Sequence, residues 1–564
     1  MTAASATQPR LVDLVTSTRR RSDYVARGLW NEITLPEKVA EHAAARPDAV
    51  AVIDAAGEHT FADLATDSAR LAAAMAGRGV VSGAVVSIQL PNRYEAVVAA
   101  VAALSLGAVV NPLLPNYRLH ELAHVFATVR PAMLFTPGTY RGFDHRALVA
   151  ELLSTDADAG RACVHVVVGA DEVDDVERDV VRDGLSTISY GVLHDEGPES
   201  VQLGRGSAAA VSEVIFTSGT EARPKAIMHT EQTANFSVRV AYADLGIGPA
   251  DVVWMPSPIG HSTGFNYGVR FALYHGLPLV LQDQWNGDVA AALVAQHGCS
   301  YTLAATTFLQ DLIAAATRAG TSLQSLRCFG CGGAPVPARL VDAAADHGVR
   351  VLRLYGSTEV LVGSWNRPNS SLDHRRHSDG VAMTDVEMTV RDDDGNDVAL
   401  GAEGELWTRG PNTCVGFFAD PERTAATFDG EGWVRSGDLV VMDADGYVTV
   451  VGRKKEIIIR GGINIAPREI EDIIVGFAEV QRAAVVGLPD ERLGETMCAC
   501  VVLEPDTDLD LETTTSRLRA AGLATYKLPQ RLEVLATLPT TASGKIQKHE
   551  IVRTLTAPGA DQAG

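Results

Sequence analysis

From residue 35 onward the chain alternates between two apolar periodicities, and that alternation restricts the fold more than any other feature of the sequence. Leu35 to Ala44 has a helical pattern, and Ala49-Val-Ala-Val-Ile53 is a short apolar run of strand type. Phe61 to Arg78 then reads as helix, Ala84 to Leu90 as strand, Tyr94 to Leu106 as helix and Ala108 to Asn111 as strand. Strands that return to their neighbours through helices pair in parallel, so the order predicts an α/β protein with parallel-rich sheets. The longest apolar run, Ala96 to Val110, falls short of the roughly 20 residues needed to cross a bilayer and reads as a buried helix entering a strand. The first 30 or so residues read as a weakly structured lead-in, and the acidic, irregular stretch from Glu151 to Gly206 as a surface excursion.

The composition changes near residue 452. Trp433 to Val451 reads as short strands and turns, with Asp443-Ala-Asp-Gly446 as a hairpin turn. Beyond it, Arg453-Lys454-Lys455 leads into the apolar strand Ile457-Ile-Ile459 and a region with its own helix and strand alternation. This pattern predicts a small C-terminal domain joined at a charged hinge; the bland alternative is an ordinary exposed turn.

Charge and cysteine usage exclude several function classes. With 48 Lys and Arg against 70 Asp and Glu, the net charge of −22 argues against a track for nucleic acid phosphates. It leaves room for a local basic pocket. No membrane span is expected, and Arg19-Arg20-Arg21 runs into Ser22-Asp23 rather than into an apolar signal segment. Seven cysteines, few and odd in number, suit a reducing cytoplasm. Cys328-x-x-Cys331 lacks a nearby second pair, and His374-Arg-Arg-His377 reads as a solvated loop, so neither predicts a zinc site.

Six segments carry chemistry. Val214-Ile-Phe216 empties into Thr217-Ser-Gly-Thr-Glu-Ala-Arg-Pro-Lys225. Such a loop can offer amides and hydroxyls to phosphate oxygens, with Gly219 permitting close approach and Lys225 adding charge. It lacks the Walker spacing, and alone it reads equally well as a polar surface turn. Gly330-Cys-Gly-Gly-Ala-Pro335 is a glycine-rich turn. Leu354-Tyr-Gly-Ser-Thr-Glu359 offers an aromatic face, hydroxyls and a carboxylate able to hold a divalent metal. Asp438 in Ser436-Gly-Asp438 can accept two bonds from a ribose diol. The remaining two are Gly452 to Asn464 and the lysine-bearing loop Thr540-Thr-Ala-Ser-Gly-Lys545.

In order and content these segments resemble the adenylate-forming superfamily, the AMP-dependent synthetases and ligases that include acyl- and aryl-CoA synthetases. The resemblance runs from about Leu35 to Lys548 and takes in Pro91-Asn-Arg93, Asn111-Pro-Leu-Leu-Pro115 and Tyr526-Lys-Leu-Pro529. It implies a large N-terminal AMP-binding body of several subdomains, residues 1–454. It also implies a small mobile α+β cap, residues 455–564, carrying the catalytic lysine. The implied reaction is acid plus ATP plus CoA giving acyl-CoA, AMP and pyrophosphate through acyl-AMP, with Mg2+ as cofactor. The implied substrate is an aryl, alicyclic or mid-sized carboxylic acid.

By resemblance, Thr217, Ser218, Gly219, Thr220 and Lys225 cradle the β- and γ-phosphates. Gly332, Gly333, Ala334 and Pro335 form one wall against adenine, with Tyr355 and Gly356 on the other side. Thr358 contacts the α-phosphate, Glu359 holds magnesium, and Asp438 binds the ribose with help from Arg453. Lys455 is the implied hinge, and Lys545 bridges carboxylate and α-phosphate. Gly461 and Gly462 line the pantetheine tunnel, and His261 borders the acyl pocket as a gate, a wall or a structural residue.

Glu221-Ala222-Arg223 departs from the glycine-containing family pattern and sets a carboxylate where ATP brings negative charge. Two consequences are open. Glu221 is harmless if Arg223 or solvent neutralises it; otherwise the enzyme is a thioester-forming specialist that uses acyl-AMP and adenylates poorly. A third alternative is an acyl-AMP ligase that loads a carrier protein. Lys548 stands where the family more often has arginine.

Overall fold

The computed structural model describes residues 18–155, 163–169, 180–182, 185–198, 202–217, 224–334, 336–460, 463–490, 492–541 and 545–556. Local sequence accounts for the main helices. Thr60 accepts from the Asp63 amide while the Asp63 carboxylate reaches back to the Thr60 amide, and this capping box starts the helix Phe61–Gly77. That helix buries Phe61, Leu64, Ser68, Leu71 and Met75, a single face at helical spacing. The next helix, Tyr94–Ser105, is apolar all round. It touches Val50–Asp54 on one side and Val85–Ile88 and Val109–Pro112 on the other, so both of its faces are covered.

Those strands belong to two different sheets. Among the described residues, the nine-stranded sheet has a parallel centre that includes Val50–Asp54, Leu279–Leu281, Val253–Met255, Tyr301–Ala304, Cys328–Gly332 and Val351–Ser357. Antiparallel strands close both of its edges. The eight-stranded sheet is built the same way around Val109–Pro112, Val85–Ile88 and Met133–Pro137. Its edge pair is Val211–Phe216 with Ala226–Thr230, an antiparallel hairpin. The largest core cluster fills the space between the two sheets. An antiparallel sheet, Glu387–Arg391, Glu403–Arg409, Val434–Met442 and Val448–Arg453, completes the N-terminal body.

After Arg453 a short 3-10 turn, Lys454–Glu456, leads to a separate five-stranded sheet with the helices Pro467–Val475 and Leu511–Ala520 and a core cluster of its own. The protein is therefore a mixed α/β molecule with a large parallel-rich body and a small α+β unit. Asp443 to Gly446 forms the expected hairpin turn, with Gly446 at φ +81°.

Two expectations differ from the structure. The lead-in contains a helix, Thr18–Ala26, which Arg27 ties to the body through Asp385. Within the acidic stretch, Val164–Val168 and Leu185–Ser189 are paired members of the eight-stranded sheet. The acidic residues that masked them fall mostly between the strands. His374 and His377 lie on a short exposed helix, and Cys328 and Cys331 are buried on one strand. No metal-holding group of His, Cys, Asp or Glu side chains occurs among the described residues.

Candidate active site

Three segments converge at the carboxyl ends of the parallel strands, where open α/β sheets bind their ligands. Cys328–Gly332 delivers the glycine-rich turn, and the neighbouring parallel strand Val351–Ser357 delivers Tyr355. A Cβ at Gly332 would overlap the Leu354 carbonyl oxygen on that neighbouring strand, so only glycine allows the two backbones to lie this close. The Tyr355 hydroxyl donates to Asp438 Oδ2 at 2.8 Å, and Arg453 Nε pairs with Asp438 Oδ1 at 2.7 Å. Asp438 and Arg453 are register partners on adjacent antiparallel strands, which fixes this pairing. Burial, followed by the Asp438 charge, raises the Tyr355 phenol well above its ordinary value, so the hydroxyl stays a donor. The adjacent Asp438 is also the chief cause that raises the Arg453 pKa.

Thr358, Glu359 and Val360 form the three-residue tip of the hairpin between Val351–Ser357 and Leu361–Trp365. Leu361 closes the tip with φ +54°, a left-handed conformation that costs a non-glycine residue about 1–2 kcal/mol. Gly356 makes the closure possible, because a Cβ there would overlap the Leu361 carbonyl oxygen. The tip leaves Glu359 half-exposed.

Lys545 reaches this place from the far end of the chain. A Cβ at Gly333 would lie 3.1 Å from Lys545 Cε and 3.8 Å from its Nζ. Burial and the Arg453 charge lower the Lys545 pKa, against the opposing pull of Asp438 and Glu359. His261 caps the turn Ser262–Gly264, its Nδ1 accepting from the Thr263 amide at 3.2 Å. Burial first, then the Lys545 charge, push its pKa down to about 4, so the imidazole is neutral at physiological pH. The structure thus brings Gly332, Gly333, Tyr355, Glu359, Asp438, Arg453, Lys545 and His261 into one neighbourhood. Thr217 and Lys225 are paired, the Thr217 amide donating to the Lys225 carbonyl at 3.0 Å. Ala334 follows Gly333 in the same turn. Ser218, Gly219, Thr220, Glu221, Pro335, Gly461 and Gly462 lie outside the described residues.

Magnesium keeps several of its waters and takes one or two carboxylates together with substrate phosphates, so it needs no preformed protein cage. A single half-exposed carboxylate at the hairpin tip, facing the basic Arg453 and Lys545, fits that demand.

Sequence reasoning missed two features of the site. His229 is fully buried and its Nε2 lies 2.7 Å from the Thr358 carbonyl. The only signal was an imidazole in the mostly apolar strand that follows Lys225. Behind it, the π-helical turn Phe265–Arg270 places Arg270 between Glu213 and Glu231, at 3.2 and 2.9 Å. All three side chains are buried. Burial of such a cluster is tolerated only when its members are paired, as they are here.

Comparisons with known proteins find matches along both parts of the chain. The AMP-binding enzyme family matches residues 39–418, and the AMP-binding enzyme C-terminal domain matches residues 469–545. The medium-chain fatty-acid–CoA ligase of Escherichia coli (strain K12) is 36% identical over 551 residues, covering 97% of this chain and 95% of that protein. The salicyl-AMP ligase / salicyl-S-ArCP synthetase of Mycobacterium tuberculosis is 31% identical over 552 residues, covering 95% and 93%. Among solved structures, ATP-bound MatB from Rhodopseudomonas palustris superposes with a TM-score of 0.81 at 25% identity, covering 93% of this chain and 99% of that one.

Proposed function

The chain belongs to the AMP-binding enzyme family, the adenylate-forming superfamily, and from that premise we propose that it joins an aryl, alicyclic or mid-sized carboxylic acid to coenzyme A using ATP. It is an acid–thiol ligase of the acyl-CoA synthetase type. The observation that carries the reading is the meeting of Lys545 with the Tyr355–Asp438–Arg453 cluster. Tyr355, Asp438 and Lys545, drawn from distant parts of the chain, can then offer a planar face, a ribose acceptor and a cation to one ligand.

In the first step a carboxylate oxygen attacks the α-phosphorus, and the bond from that phosphorus to the pyrophosphate oxygen breaks. Thr217 and Lys225, with Ser218, Gly219 and Thr220, hold the β- and γ-phosphates. Gly332, Gly333, Ala334, Pro335, Tyr355 and Gly356 enclose adenine. Asp438 and Arg453 hold the ribose, and Thr358 bonds the α-phosphate. The Lys545 cation lies between carboxylate and α-phosphate and offsets charge that gathers there in the transition state. Glu359 would hold magnesium, which screens the phosphates when bound. In the second step the thiol sulfur attacks the acyl carbon, releasing AMP and a proton. A thiol needs the room that Lys545 occupies, so the cap, residues 455–564, turns about Lys455 between steps and brings Gly461 and Gly462 to the pantetheine arm. His261 shapes the acyl pocket as a neutral wall. The cytoplasmic setting expected from cysteine usage belongs to the same proposal; all seven cysteines are unpaired and buried.

The relatives favour a second reading as well, because one of them is named for loading an ArCP. The test incubates the protein with ATP, magnesium and a panel of acids, offering either CoA or a carrier protein. Pyrophosphate and thioester are measured, and the assay is repeated from synthetic acyl-AMP. Thioester on CoA supports the first reading, and thioester on the carrier alone supports the second. Thioester from acyl-AMP only would identify the thioester-forming specialist. No thioester from any combination would sink the ligase reading.

A further inference from the structure

The hairpin tip that presents Thr358 and Glu359 is held almost entirely from outside. The Cys414 amide donates to the Glu359 carbonyl at 2.7 Å. Asn412 Nδ2 donates to the carbonyls of Val360 and Val362, at 2.6 and 3.0 Å. The Tyr267 hydroxyl accepts from the Val362 amide at 2.8 Å. The remaining carbonyl of the tip, that of Thr358, faces His229 Nε2 at 2.7 Å. A carbonyl oxygen can only accept, so Nε2 carries the proton and Nδ1 faces the Thr233 hydroxyl at 3.1 Å. These outside bonds offset the left-handed strain at Leu361, since a strained conformation persists only where its surroundings over-determine it.

His229 differs from the other ties in where it comes from. It sits on Ala226–Thr230, the antiparallel partner of Val211–Phe216, and Thr217 follows directly after that second strand. One fully buried ring therefore spans from the hairpin that flanks the phosphate loop to the hairpin that presents Glu359. We propose that His229 is a positioning residue: through the Thr358 carbonyl it fixes the Thr358–Glu359 tip relative to the phosphate loop and so sets the affinity for Mg·ATP. This rests on the nucleotide site proposed above. His229 touches no substrate and acts through the backbone of the residue that does. Groups that hydrogen-bond a metal ligand typically change metal affinity or activity by 10–100-fold when lost, and His229 holds the backbone of the residue next to the proposed ligand.

The test is calorimetric binding of Mg·ATP to the full chain, which needs no knowledge of the acid. His229→Phe keeps a ring of similar size and removes the donor, whereas His229→Gln keeps an N–H donor on a side chain of similar reach. His229→Phe is expected to weaken Mg·ATP by about tenfold or more, and His229→Gln to stay close to the wild type. Wild-type affinity in His229→Phe would overturn the proposal. Equal weakening in both variants would also overturn it, because a packing role alone does not separate Phe from Gln. If His229→Phe fails to fold, His229→Leu, which also lacks the donor, takes its place, and unchanged affinity there would likewise overturn the proposal. A wild type that binds Mg·ATP but makes no thioester sinks the ligase reading and leaves this comparison intact. A wild type that does not bind Mg·ATP overturns both.

Discussion

At the scale of single residues, Lys545 has the most exposed chemistry. Its cation works only while protonated, and burial together with Arg453 holds its pKa below the ordinary lysine value of 10.5. The sign follows directly: the charge is complete below the lowered pKa and is lost as pH rises through it. The ATP-dependent kcat/KM, which reports the free enzyme, should therefore fall on the alkaline side with a midpoint below 10.5. Lys545→Arg, charged across that range, should flatten this limb even if its absolute rate is lower. An identical alkaline limb in Lys545→Arg would assign the titration to another group. Lys545→Ala should lower adenylation by about 10²–10³-fold, the cost of losing one donor to a developing oxyanion. Thioester formation from supplied acyl-AMP should persist in the same variant, and equal loss of both steps would contradict the assigned role. His261 adds no limb above pH 5, because its imidazole titrates near 4.

At the scale of elements, the sheets and helices were largely legible because periodicity and caps are local. The helix Phe61–Gly77 could be read from Thr60, Asp63 and the spacing of Leu64, Leu71 and Met75. The helix Thr18–Ala26 could not, since contacts such as Arg27 with Asp385 join it to a distant segment. The tip around Glu359 was legible as a motif and opaque as geometry. Its left-handed Leu361, the Asn412 ties and the His229 bond join segments 50 to 129 residues apart, and no spacing rule reports such contacts. Arg270 was hidden for the same reason, and because a π-helical turn reads like any helix. The tip also gives a sharp prediction. Gly356→Ala would drive a Cβ into the Leu361 carbonyl oxygen and to within 3.1 Å of Val362 Cα. Both obstacles are backbone, so no rotamer relieves them. We expect about 1–3 kcal/mol of destabilisation in denaturant melts, with loss of Mg·ATP binding. Gly77→Ala, on a helix with open space around the new methyl, is the control and should be neutral or better. Equal behaviour of the two variants would mean that the hairpin can reclose around a side chain.

At the scale of the whole molecule, the net charge of −22 and the nucleotide site are compatible because the cations are placed locally. Arg453 and Lys545 stand beside Asp438 and Glu359, so an acidic protein still holds two cations at the proposed nucleotide site. The junction between body and cap has similar local order. Lys454 pairs with Glu405 at 2.8 Å and Asp393 at 2.9 Å, both on the body. Glu456 pairs with Lys548 at 2.9 Å, and Lys548 also holds Glu471 at 2.8 Å, all within the cap. Lys548 thus joins two carboxylates within the cap. Lys454 is thus fastened to the body and Glu456 to the cap, and this is where we propose the pivot at Lys455. Lys455→Pro isolates that motion. Its ring fixes φ near −65°, which the 3-10 turn Lys454–Glu456 already tolerates, so the arrangement with Lys545 in place should survive. Adenylation, followed by pyrophosphate release, should stay near the wild-type rate. Thioester formation from supplied acyl-AMP should drop by about 10²-fold, the cost of misplacing a reactant by around an ångström. A parallel loss of both steps would show that the turn is needed for folding rather than for motion. Undiminished thioester formation would place the pivot elsewhere in the junction.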